Sequence, residues 1–257
     1  MMLSIERYEI ILNKLETDKA VKVSQLSQLL GVTEKTVRID LEALEEKGLL
    51  KRIHGGAVLE NKEGEILPVS ERQSSKTEIK DNIAREAVRM IEPHETILMD
   101  GGSTTSAISE RLGDFPVTVI TNDIKIAYIL NDKENVQLVV LGGTRIPHSS
   151  SLLGDQATEA LKRLRVNRLF FGTTGFSIEH GLTVLNSLHA DWKRKIIDCA
   201  DHITLVADST KFEKIALVQF AEITNVSELI TDDQLDHSSI KEIENKGVNV
   251  RVARKKR

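Results

Sequence analysis

The run Asp100-Gly101-Gly102-Ser103-Thr104-Thr105 closes an apolar stretch and opens a helical pattern. Glycines let the backbone approach a ligand, hydroxyls donate hydrogen bonds, and a helix N-terminus favours an anion, so these residues suit a phosphate cradle. No Gly-Lys-Ser/Thr follows and the Gly-x-Gly-x-x-Gly spacing is absent, which excludes a P-loop and a dinucleotide fingerprint. Four more polar loops close apolar runs: Thr121-Asn122-Asp123, Gly142-Gly143 with Arg145, Gly172-Thr173-Thr174-Gly175, and Asp208-Ser209-Thr210-Lys211. Singly, each has ordinary turn composition. Ligands of open α/β sheets bind outside the carboxyl ends of the strands, and five such loops together predict a small anionic ligand.

A second chemistry is written near the N-terminus. Thr33 can cap a helix that carries Val37, Leu41 and Leu44 inward and stops at Gly48. Its other side presents Lys35, Ile39, Glu42 and Glu46, with Arg38 on the flank. Lys35, Thr36 and Arg38 stand at the end where cations, a hydroxyl and unpaired N–H groups suit phosphates and guanine edges, while Ile39 suits either a spare core position or a thymine methyl. Lys51, Arg52 and His54 then place positive charge around a Gly55-Gly56 turn. DNA in a major groove is the first expectation; a protein-interaction module is the alternative.

The elements that must hold these residues follow from periodicity. Ser4 can cap a first helix with Ile5, Tyr8, Ile11, Leu12 and Leu15 at 3.6-residue spacing. Ser24 can cap a second helix with Leu26, Leu29 and Leu30 on one face and Gly31 as its stop. With the third helix and strands at Leu49 to Ile53 and Ala57 to Glu60, residues 3–59 read as a winged helix-turn-helix, the paired helices at about 20–39. Residues 60–75 are polar, contain Gly64 and Pro68, and read as a linker.

Residues 76–257 alternate strands and helices. Strands are expected at Thr96–Asp100, Val117–Thr121, Val136–Leu141, Arg168–Phe171, Ile203–Ala207, Leu229–Thr231 and Val248–Val252. Helices are expected at Lys80–Met90, Thr105–Leu112, Ile124–Leu130, Asp155–Leu164 and Asp191–Ala200. Near-continuous Val/Ile/Leu strands between helices predict a mainly parallel sheet covered on both faces. The fold class is therefore α/β with a small N-terminal winged helix-turn-helix domain.

Composition narrows the function classes. The 257 residues are 40% hydrophobic and 29% charged, which excludes a largely disordered chain. Cys199 is the single cysteine, so an internal disulfide framework and a cysteine zinc ribbon are excluded. The seven histidines lack metal-ligand spacing, and no metal or cofactor is expected. Trp192 and Cys199 read as packing residues. No apolar run approaches the ~20 residues of a membrane helix and no signal-peptide pattern opens the chain, so a cytoplasmic protein without membrane contact is expected. The net charge is −4, and residues 1–60 carry nine Lys/Arg against ten Asp/Glu. A polyanion partner must therefore be met by a local cluster of cations.

The run Val23…Leu26-Ser27…Leu30-Gly31-Val32-Thr33…Thr36-Val37-Arg38-Ile39-Asp40-Leu41…Gly48-Leu49…Arg52-Ile53-His54-Gly55-Gly56-Ala57 resembles the DeoR family of bacterial transcriptional regulators. Glu71-Arg72, Asp100 to Thr105, Thr121-Asn122, Gly142-Gly143, Phe171-Gly172 and Asp208 to Phe212 resemble the effector domain of the same family, so the likeness spans nearly the whole chain. Where the family has two consecutive arginines before Asp-Leu, the second is here Ile39, which implies an operator preference of its own. The resemblance implies a repressor of a sugar-catabolic operon that loosens from double-stranded operator DNA when a phosphorylated sugar accumulates. Ser103, Thr104 and Thr105 would hold the phosphate, and Lys211 would supply a counter-charge or reach a hydroxyl. It also implies an effector domain similar in fold to ribose-5-phosphate isomerase. A sugar-phosphate isomerase-like enzyme with an accessory DNA- or protein-binding domain is the competing reading. Those isomerases carry carboxylates in the loop after the central strand; Gly172 to Gly175 offers none, so no catalytic residue is assigned. A homodimer or homotetramer is expected, because two-fold operators match two-fold proteins.

Overall fold

The computed structural model describes residues 2–58, 77–146 and 149–254. The segment 60–75, read as a linker, falls outside them, as do Glu71, Arg72 and His148. The chain divides into two compact units, Met1–Pro68 and Val69–Arg257.

In the first unit, helix α1 (Ser4–Asp18) packs Ile11, Leu12 and Leu15 inward. Ser4 is its first helical residue and not its cap. The Leu3 N–H is met at 2.8 Å by the Glu6 carboxylate, one turn on. A short strand β1 (Ala20–Lys22) leads directly into α2 (Val23–Leu30), so Ser24 lies inside the helix. Leu26 and Leu30 are buried, but Leu29 is 54% exposed, because it sits roughly 100° around the helix from Leu30. Gly31, in the left-handed region at φ 63°, ends α2. Thr33 caps α3 (Glu34–Glu46), its hydroxyl accepting from the Thr36 N–H at 3.2 Å. Helix α3 ends at Glu46, two residues before Gly48, the stop that the sequence offers. It buries Val37, Leu41 and Leu44 as the periodicity predicts.

Strands β2 (Lys51–Ile53) and β3 (Gly56–Val58) form the wing, and β1 joins them in a sheet ordered β1-β3-β2. Gly56 pairs with Lys22, and a Cβ there would lie 2.0 Å from the Val21 carbonyl oxygen. Only glycine fits this approach.

The second unit is built on a seven-stranded sheet. In chain order its strands are β4 (Thr96–Met99), β5 (Val117–Thr121), β6 (Val136–Val140), β9 (Val166–Phe171), β12 (Ala200–Val206), β14 (Glu228–Asp232) and β15 (Asn249–Ala253). The spatial order is β15-β14-β12-β9-β4-β5-β6, and every neighbouring pair is parallel. Each strand feeds two cores by alternation. Leu98, Leu169, Leu205 and Leu229 point into one cluster; Ile97, Phe170, Val206 and Ile230 point into the other. Helices α4 (Thr77–Val88), α5 (Ser103–Arg111), α6 (Ile124–Leu130), α7 (Asp155–Leu161), α8 (Ser187–Ile197) and α9 (His237–Glu244) belong to the same unit.

Three features depart from the periodicity. Strands β10 (Gly175–Ser177), β11 (Gly181–Val184) and β13 (Val218–Ala221) form a separate antiparallel sheet from segments assigned no strand in the sequence. Strands β7 (Thr144–Arg145) and β8 (Leu152–Leu153) form a two-stranded ribbon. Helix α8 starts four residues earlier than expected, capped by the Asn186 side chain accepting from the His189 N–H at 2.9 Å.

Candidate functional site

The first unit presents helix α3, on which the sequence places the candidate groove residues. Thr33, Lys35, Arg38 and Ile39 are exposed and Thr36 is half-buried. Ile39, at 55% exposure, stands on the outer face as an apolar group among polar ones. Two ion pairs involve this helix. The buried Asp40 accepts from Arg7 Nε at 2.7 Å and Nη2 at 2.8 Å, a bidentate fork that ties α1 to the back of the recognition helix and raises the Arg7 pKa. Arg38 Nη2 meets Glu34 Oε2 at 2.6 Å along the exposed side.

Arg52 behaves differently from the expectation of a groove contact. Its N–H donates to Glu45 Oε1 at 2.7 Å, its Nε donates to Glu45 Oε2 at 2.6 Å, and Nη1 lies 3.5 Å from Glu42. The guanidinium thus straps the wing to the C-terminal half of α3. The Arg52 N–H and guanidinium hold the Glu45 carboxyl below its ordinary range, and Glu45 in turn raises the arginine. His54 and Gly55 sit exposed at the wing turn, with Gly55 in the left-handed region, whereas Gly56 is buried beneath it.

In the second unit, the chain runs outward from β4 to β5 and β6, then returns to run outward the other way from β9 through β12, β14 and β15. The direction reverses between β4 and β9, and a doubly wound sheet opens its ligand crevice at that switch point. The loops on its two sides are Asp100-Gly101-Gly102 after β4 and Gly172-Thr173-Thr174 after β9.

Asp100 is 2% exposed, and both of its oxygens have partners. Oδ1 accepts from Trp192 Nε1 at 2.8 Å, and Oδ2 accepts from Lys193 Nζ. Lys193, 6% exposed on α8, also donates to the Gly172 carbonyl at 2.8 Å. Its Nζ lies 5.6 Å from the ring centroids of both Phe171 and Phe220. Neither Lys193 nor Trp192 was anticipated from sequence as a site residue.

The N-terminus of α5 opens directly after Gly102, with Ser103 and Thr104 half-buried. Thr105 is buried and donates its hydroxyl to the Gly102 carbonyl at 2.9 Å. A Cβ on Gly101 would fall 2.1 Å from Ser151 Oγ and 2.8 Å from Asp123 Oδ2. A side chain at this position would displace Ser151 and Asp123 where this turn meets the segment 149–153.

Thr121 and Asn122 lie beneath the rim. Thr121 donates to the Met99 carbonyl at 2.8 Å, and Asn122 accepts from the Gly101 N–H and donates to the Leu152 carbonyl, each at 3.3 Å. Asp123 caps α6 and accepts from Ser150 Oγ at 2.5 Å. Lys211 is buried on a short turn, Ser209–Lys211, after β12, whose cap Asp208 accepts from the Thr210 N–H. Asp232, from the next strand, fixes that turn through the Ser209 N–H at 2.7 Å and hydroxyl at 2.9 Å. Gly142, Gly143 and Arg145 follow the edge strand β6, two strands from β4, and Arg145 donates to the Ser149 carbonyl at 3.1 Å. Strands β4, β9 and β12 are adjacent and parallel, so the loops after them leave the same end of the sheet, while Arg145 follows the edge strand β6. Among the described residues no helix is long and apolar enough to cross a membrane.

Comparison with known proteins agrees with both halves. Residues 7–63 match the DeoR-like helix-turn-helix domain, and residues 75–233 match the DeoR C terminal sensor domain. The chain is 37% identical over 250 residues to the uncharacterized HTH-type transcriptional regulator YulB of Bacillus subtilis, covering 97% of this chain and 96% of that protein. It is 33% identical over 227 residues to the HTH-type transcriptional repressor GlcR of the same organism, covering 88% of each. Among solved structures, ribose 5-phosphate isomerase A from Methanocaldococcus jannaschii overlaps 55% of this chain and 56% of that one, with 18% identity and a TM-score of 0.40. With both domains matched and a full-length relative at this identity, the chain belongs to the DeoR family of helix-turn-helix transcriptional regulators.

Proposed function

We propose that this protein is a cytoplasmic repressor that holds double-stranded operator DNA as a homodimer or homotetramer and releases it on binding a phosphorylated sugar. One observation carries the reading. The same chain carries helix α3, with exposed Lys35, Arg38 and Ile39, and a parallel sheet whose switch point is bordered by the N-terminus of α5 and the Gly172-Thr173-Thr174 loop. The relative named a transcriptional repressor, matched over 88% of each chain, supports the sign of regulation.

On the DNA side we assign Thr33, Lys35, Thr36, Arg38 and Ile39 to the groove, with His54 and Gly55 at the wing. Arg52 and Gly56 support that wing from within. On the effector side Ser103, Thr104, Gly102, Gly172 and Lys211 line the crevice. Asp100, Thr105, Thr121 and Asn122 shape it, and Gly142, Gly143 and Arg145 form its outer end. The protein acts without turnover: no carboxylate lies between Gly172 and Gly175, and Asp100 is engaged by Lys193 and Trp192. Isomerisation needs a base able to take a proton beside a carbonyl.

Electrophoretic mobility of DNA from upstream of the protein's own operon tests the reading. The protein should retard that DNA, and a sugar phosphate should reverse the retardation while its unphosphorylated sugar does not. Failure to bind, or conversion of the sugar phosphate at enzyme-like rates, would replace the regulator with a different function.

A further inference from the structure

A carboxylate stands where the proposed site can least accommodate one. Asp100 immediately precedes the Gly101-Gly102 turn and the N-terminus of α5, and it is almost fully buried. An uncompensated buried negative charge there would oppose a phosphorylated ligand, because burial weakens the screening between them. The structure supplies the compensation from 93 residues away. Lys193 leaves the solvent-facing run of Arg194 and Lys195, turns inward on α8, and places its ammonium between the Asp100 carboxylate and the Gly172 carbonyl. Phe171 and Phe220 face the ammonium with their rings, and Trp192 satisfies the second carboxylate oxygen.

Stability alone does not account for such a pair, since buried ion pairs are often no better than apolar residues of the same volume. Its place does. The two groups that Lys193 holds belong to the two loops that flank the switch point. We propose that Lys193 is a positioning residue of the sensor site: it cancels the charge of Asp100 and ties the β4 and β9 loops, so that a phosphorylated ligand meets the α5 N-terminus without repulsion. The inference rests on the phosphate-site reading above.

Charge accounting makes opposite predictions for the two partners. Wild type, Lys193→Met, Asp100→Asn and the double variant would be compared as full chains, with circular dichroism and melting curves to check folding. The probes are ribose 5-phosphate, glucose 6-phosphate, fructose 1-phosphate and inorganic phosphate, and the one that stabilises wild type most is titrated by calorimetry. Lys193→Met should weaken binding about tenfold or more, Asp100→Asn should tighten it a few-fold, and the double variant should return to within about threefold of wild type. A folded Lys193→Met that binds like wild type overturns the proposal. So does a double variant as weak as Lys193→Met, which would make Lys193 a direct ligand contact, or an Asp100→Asn that weakens binding. Should Lys193→Met not fold, the tightening in Asp100→Asn and the restored affinity of the double variant decide the matter alone. If no probe stabilises wild type or any variant, the phosphate site itself is wrong and this role for Lys193 falls with it.

Discussion

Arg38 is the residue at which the DNA-reading face is most directly testable. Its guanidinium meets Glu34 at 2.6 Å, with 60% of one side chain and 47% of the other exposed. Exposed i,i+4 pairs contribute only about 0.3–0.5 kcal/mol, so a phosphate or a guanine edge can displace Glu34 at little cost. Arg38→Ala should weaken operator binding by about 1–3 kcal/mol while leaving the melting curve and the response to effector intact. Fluorescence anisotropy on labelled operator at moderate salt reads this, and an unchanged affinity would move the interface off this face. Such surface residues were legible in the sequence because Val37, Leu41 and Leu44 fix which side of α3 is buried. Lys193 was not legible. In sequence it belongs to a run of cations on a helix, a pattern that ordinarily faces solvent. Its partners come from distant loops that only the assembled sheet brings near.

At the scale of elements, the braces behind the recognition surface matter as much as the surface. The Arg7–Asp40 fork joins α1 to α3 across 33 residues, with Asp40 buried. Asp40→Ala leaves a mostly buried guanidinium without its partner and should cost roughly 3 kcal/mol in the first unit. Hydrogen exchange on the full chain would show it as about 100-fold faster exchange in α1 and α3 with residues 77–254 unaffected. Unaltered protection in α3 would mean that apolar packing alone holds the helix. The wing strap is pH-sensitive in a defined direction. Glu45 titrates below its ordinary range when folded, so its contribution is complete above the ordinary carboxylate pKa and fades as pH falls through the lowered one. The seven parallel strands were readable from their Val/Ile/Leu runs, to within a few residues at their ends. The β10-β11-β13 sheet was not, because Gly175–Ser177 and Gly181–Val184 are short and glycine-led, and Gly181–Val184 pairs on its other side with a strand more than thirty residues away.

For the molecule as a whole, net charge says little about its partner. The first sixty residues are slightly acidic, so operator binding must come from the placement of Lys35, Arg38 and the wing, and the grip on random DNA should be weak. Regulation then depends on a difference in affinity. An effector that bound the DNA-compatible and incompatible states equally would change nothing, and driving the population from 99:1 to 1:99 takes a preference of about 10⁴-fold. Any loss of effector contacts is deducted directly from that preference. Thr104 stands half-buried at the α5 N-terminus, and Thr105 shapes the turn through its bond to the Gly102 carbonyl. The double replacement Thr104→Val and Thr105→Val keeps the volume of both side chains and removes both hydroxyls. At about 1 kcal/mol for the effector hydrogen bond lost with Thr104, the effector concentration needed for half-release should rise about fivefold or more as the Gly102 turn also loosens, with operator affinity in the absence of effector unchanged. Titrating operator occupancy against the sugar phosphate measures both quantities in one experiment. Release at the wild-type concentration would place the phosphate elsewhere in the sensor unit, whereas weakened operator binding without effector would mean that this loop biases the DNA-compatible state directly.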